Sequence, residues 1–181
     1  MGLIKRNHLG TSDAASGRRP PHHRNHGVEV MPQNNLTAKQ AYRAMFHFLE
    51  VEYELMKSGD LAVLLSSMDW RTWNHGMPGD PAVWPQWLEA VKLAQAYNNL
   101  LANEVLSTAN VGKLTPEEAF RAMFYFLEIE DAMVKTEDVG AILRSMSPYI
   151  VVEGRPADSK IWPKWHEAMI HARLSDDRLS V

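Results

Sequence analysis

Between residues 36 and 57 the apolar side chains recur every three or four positions, the spacing of a helix with a buried face. Tyr42, Met45, Phe46, Leu49, Tyr53 and Met56 fall on one stripe, and Ala44, Phe48, Val51 and Leu55 on a second. Arg43, His47, Glu50, Glu54 and Lys57 make the polar ribbon. A helix apolar on two sides is expected to be packed on two sides. Its start is marked by Thr37 with Gln40 three residues on, the spacing of a capping box.

The same pattern returns. RAMFHFLE at 43–50 becomes RAMFYFLE at 121–128, and a shift of 78 positions aligns residues 36–94 with 114–172 without a gap. Identities fall at 25 of the 59 aligned positions, which marks a duplicated unit. Thr115 with Glu118 repeats the cap, and Pro116 sits where a first-turn proline is tolerated. Within each copy a second, shorter helix is expected at DLAVLLSSM or DVGAILRSM. A third follows Asp80 or Asp158 and carries Trp84-Pro85-x-Trp87 or Trp162-Pro163-x-Trp165. The four tryptophans are read as anchors holding the third helix on the first, because large aromatics dominate small cores. YIVVEG at 149–154 is the one β-like run, and its counterpart RTWNHG is not one. The expected fold is all-α: two tandem pseudo-repeats of about three helices each, packed into one bundle. The expected divisions are a disordered basic leader at 1–30, a first unit with its linker helix at 31–110, and a second unit at 111–181.

Charge changes this picture at the N-terminus. Residues 1–30 hold five basic and two acidic side chains, a net of +3, while the whole chain carries −3, so residues 31–181 carry −6. The leader is polar and rich in Arg, His, Gly and Pro, with too little apolar surface to offset the entropy of ordering. A folded part this acidic argues against nucleic acid as a direct ligand and is compatible with a basic protein partner. The chain has no cysteine, which removes disulfides and thiolate metal sites. It shows neither an apolar run long enough to span a bilayer nor a secretory h-region, so the expected location is the cytoplasm, away from membranes.

Catalytic signals are sparse. Glu52 and Glu130 occupy the same place in the two copies, inside the apolar arc of the first helix, and as a pair they could form an acid–base site. The alternative is that each is satisfied by local hydrogen bonds. No HExxH or ExxH pattern, Gly-rich phosphate loop or G-x-S-x-G accompanies them, and no cofactor or metal is expected. His47, His75, His166 and His171 each lack a histidine counterpart in the other copy, and no convergence of histidines is expected. The clearest difference between the copies is a loop: DWRTWNHGMPG at 69–79 faces SPYIVVEGRPA at 147–157. Asp69, Trp70, Arg71, Trp73 and His75 are therefore candidate partner contacts, since Trp and Arg are enriched at binding hot spots. The acidic Glu50, Glu54, Glu128 and Asp131 on the first helices are the next candidates.

An MFxFLE helix, a DxxxxLxSM helix, then GxPxDPAxWxxW and EA together resemble the small helical immunity proteins encoded beside bacterial polymorphic and contact-dependent toxins. The resemblance covers residues 36–94 and 114–172. It implies a non-enzymatic protein that binds a cognate toxin domain, here a basic one such as a nuclease, and blocks it. The alternatives are a small helical enzyme using Glu52 and Glu130, or a helical adaptor or oligomerisation module.

Overall fold

The structure, a computed structural model, describes residues 35–71, 77–101, 112–146 and 160–179. The expected leader at 1–30, Trp73, His75 and the β-like run at 149–154 lie outside the described residues. Among the described residues six helices follow in order: α1 (Ala38–Met56), α2 (Gly59–Met68), α3 (Val83–Leu101), α4 (Pro116–Met133), α5 (Glu137–Met146) and α6 (Ile161–Leu179). Among the described residues there is no strand, and the fold is all-helical. An isolated antiparallel bridge pairs Leu36 with Leu114, each N–H donating to the other's carbonyl at 2.7 Å. It ties the entries of α1 and α4 together.

Local chemistry sets the helix ends. Both capping boxes form: Thr37 Oγ1 accepts from the Gln40 N–H at 3.1 Å and Gln40 Oε1 from the Thr37 N–H at 2.9 Å, and Thr115 with Glu118 does the same. Lys57 ends α1 in the left-handed region, at φ 52°, with its N–H on the Tyr53 carbonyl. Ser58 caps α2 and also donates its hydroxyl to Asp138, linking the starts of α2 and α5. Pro85 and Pro163 stand in the first turns of α3 and α6, where the missing N–H has no intrahelical partner to lose.

The packing crosses over. Helix α3 lies most extensively against α4, and α6 against α1, while α2 and α5 pack on α1 and α4 respectively. This uses both apolar sides of α1: Ala41, Tyr42, Ala44, Met45, Phe46, Phe48 and Leu49 are all buried. The tryptophans sit at the crossing. Trp87 Nε1 donates to the Ala38 carbonyl at 3.0 Å and Trp165 Nε1 to the Pro116 carbonyl at 3.1 Å, so each indole does hold its helix to the preceding first helix. Each ring also meets the other first helix edge-on, Trp87 against Phe126 and Trp165 against Phe48. The anchoring expected from sequence is therefore only half of their role, because the body of each third helix runs along the other copy.

Two side-chain expectations for α1 are corrected. Arg43, assigned to the polar ribbon, is only 5 % exposed, and its guanidinium lies 4.3 Å from the centre of the Trp70 ring. Arg121 repeats this beside Tyr97, at 4.4 Å, and bonds Asn98; burial pulls both guanidinium pKa values down. Conversely Val51 and Leu55, assigned to an apolar face, are 45 % and 66 % exposed. The C-terminal third of α1 runs past its cover.

A candidate protein-binding groove

That uncovered part of α1 floors an open groove of about 690 Å³. Phe46, His47, Glu50, Val51, Tyr53, Glu54 and Leu55 line it from α1. Ala62, Leu65 and Ser66 of α2, with Asp69 and Arg71 just beyond, form one wall, and Lys164, Glu167, Ala168 and His171 of α6 form the other. The crossover creates it, because α6 comes from the far end of the chain to lie beside α1.

A string of polar contacts crosses the groove. Glu50 Oε2 accepts from His47 Nδ1 at 3.1 Å, and since a carboxylate cannot donate, this places the proton on Nδ1. Glu50 Oε1 accepts from Arg71 at 2.9 Å. Arg71 Nε in turn donates to Asp69 Oδ1 at 3.1 Å, and the Arg71 backbone N–H reaches the same oxygen at 2.9 Å. The guanidinium also lies over the Phe46 ring, 4.7 Å from its centre. Burial on its own would raise the Glu50 carboxyl, but the His47 hydrogen bond and the Arg71 charge outweigh it and hold it below the ordinary carboxylate range. Burial likewise opposes the charge on Arg71, and Asp69 and Glu50 overcome it. His47 and His171 face each other with ring centres 5.8 Å apart, and His47 Nε2 is buried without a hydrogen-bond partner. The expectation that the histidines do not converge is thus overturned for this pair.

Of the candidates chosen from sequence, Asp69, Arg71, Glu50 and Glu54 meet in this groove. Trp70 does not: it is 7 % exposed, its ring joins the core beneath Arg43, and it is a packing residue rather than an exposed anchor. Glu128 is exposed on α4, and Asp131, also on α4, lies near Gly140 of α5. His47, Lys164, Glu167 and His171 were missed. The available signal was a difference between the copies: the 78-residue offset puts Tyr125, Gln86 and Leu93 where His47, Lys164 and His171 stand.

Glu52 and Glu130 have unlike surroundings. Glu52 accepts from Lys164 at 2.7 Å across the α1–α6 contact. Glu130 borders a separate cavity of about 110 Å³ with Asp60, Val63, Leu64 and Ser67 of α2, and burial together with the nearby Asp80 charge pushes its carboxyl up. They do not share an acid–base site. Among the described residues, no group of three His, Asp or Glu side chains is placed to hold a metal ion, and no helix is long and apolar enough to cross a membrane. No protein-family model, curated protein or solved structure matches the chain.

Proposed function

We propose that this chain is a non-enzymatic immunity protein that acts in the cytoplasm by binding and neutralising a cognate toxin domain, two tandem three-helix units supplying its frame. The observation that carries this reading is the groove on α1, where exposed Val51 and Leu55 adjoin a cross-linked cluster of charged side chains. An apolar floor with a charged rim is the anatomy of a protein interface. The net of −6 on residues 31–181 favours a basic partner and speeds its association by electrostatic steering. The tandem arrangement is supported by the 25 identities at one offset and by helices whose starts repeat at that offset, at residues 38 and 116, 59 and 137, and 83 and 161.

The test is co-expression with the product of an adjacent secreted-toxin gene, scored by co-purification and by rescue of growth. Stable co-purification with rescue is expected. Toxin alleles that kill equally with and without this protein would overturn the reading, as would protection that tracks a turnover activity instead of binding.

A further inference from the structure

Resting on that reading, we propose that the groove takes a basic amphipathic helix of the partner, with its apolar face on Val51, Leu55 and Leu65 and its Lys or Arg side chains on Glu54 and Glu167. The apolar half of this assignment follows from exposure: Leu55 leaves 66 % of its surface to solvent, directly beside carboxylates, where isolated stability is not served.

The charged half follows from pairing. The groove and its margin hold the carboxylates Glu50, Glu52, Glu54, Asp69 and Glu167 against the cations Lys57, Arg71 and Lys164, a net of −2 with neutral histidines. The three cations are already engaged: Arg71 by Glu50 and Asp69, Lys164 by Glu52, and Lys57 by Glu54. Arg71 and Lys164 are thus spent internally, whereas the Lys57–Glu54 pair is solvent-exposed on both sides and weak, so Glu54 can exchange it for an incoming cation and Glu167 adds a second carboxylate. Glu54 lies on the groove floor near the C-terminal end of α1 and Glu167 on the α6 wall, and Glu50 and Glu54 lie one helical turn apart. A helix laid in the groove can match that spacing with its own basic residues, and helix-in-groove recognition uses this geometry.

The full-length protein can be titrated with a labelled helical peptide of about 18 residues carrying Leu at i, i+3, i+4 and i+7 and Lys elsewhere. The controls are the same peptide with Glu for Lys, and a scrambled basic peptide of identical composition. Binding of the basic amphipathic peptide is expected, weakening as salt rises, and roughly tenfold tighter than either control. Glu54→Lys with Glu167→Lys should weaken it by roughly tenfold or more, and Glu89→Lys with Asp131→Lys on α3 and α4 should leave it within about twofold. Equal binding of the acidic or scrambled peptide, equal loss from both pairs of substitutions, or no binding would overturn the assignment. Because the titration needs no toxin, protection that survives in a peptide-negative protein would sink the groove alone. Peptide binding without protection would sink the immunity reading alone.

Discussion

At the groove, Glu50 has His47 one turn before it and Arg71 across from it, and its carboxyl is held down. At the matching position on α4, Glu128 has Tyr125 in place of His47, and the partial desolvation of this otherwise exposed side chain pushes its carboxyl up. The same contrast separates Glu52, bonded to Lys164, from Glu130, which has Gln86 at the corresponding place and Asp80 nearby. Much of the core beneath is shared. Met45 and Met123, Phe48 and Phe126, Leu49 and Leu127, and Trp87 and Trp165 are buried in both copies. The sequence identities at the 78-residue offset thus include several packing positions, while side chains above them differ. What distinguishes the groove is the set of neighbours around shared glutamates, His47 from α1 and Lys164 and His171 from α6, where the other repeat has Tyr125, Gln86 and Leu93.

If the two frames are equivalent, their central tryptophans should matter equally. Trp87→Ala and Trp165→Ala should each cost about 3–5 kcal/mol, the scale for truncating a fully buried aromatic, and urea denaturation should place the two within about 1 kcal/mol of each other. A gap beyond about 2 kcal/mol would show that the halves carry the bundle unequally.

A smaller loss is expected at Trp70, which has no aromatic counterpart because Pro148 occupies the matching position. Trp70→Ala should cost about 3 kcal/mol, at the low end for a buried indole, because the ring lies at the edge of the core and also covers Arg43. A variant of unchanged stability with reduced toxin affinity would return Trp70 to the interface and place the recognition surface in the 69–79 loop.

The helices were legible because each is announced locally. Capping boxes, a first-turn proline and a 3.6-residue apolar period need no knowledge of the rest of the chain, and all three fall where the sequence places them. The crossover was not legible. A stripe such as Met45–Leu49 states that it must be covered, not which copy covers it, and both copies offer nearly the same complementary surface. That ambiguity hid the groove, since Glu50 and His171 meet only after α6 is set on α1. Arg43 was misplaced for a related reason: a periodicity argument assigns guanidinium to water, and the Trp70 ring stacked on it helps make its burial tolerable.

The mildest effects should distinguish the two equivalent glutamates by sign. Glu52→Gln removes a charged hydrogen bond to Lys164 and should cost about 1 kcal/mol. Glu130 is the opposite case. Its folded-state pKa stands above the ordinary 4.5, so between those values the folded protein binds more protons than the unfolded chain, and stability falls as pH rises through that interval. The ionised side chain is therefore a liability near neutral pH, and Glu130→Gln should gain up to about 1 kcal/mol there. The gain should shrink as pH falls through the raised folded-state value and vanish below about 4.5. Gln86→Lys offers a second route to the same relief, because it supplies at the α3 position the cation that Lys164 supplies on α6. On the parent background it should stabilise by roughly 0.5 kcal/mol, and with Glu130→Gln already present that benefit should disappear. Thermal midpoints of the two single variants and the double variant, measured at neutral and acidic pH, complete the cycle. A destabilising Glu130→Gln would mean that this carboxylate has a partner in the folded protein and that the two surfaces are more alike than their pairing indicates.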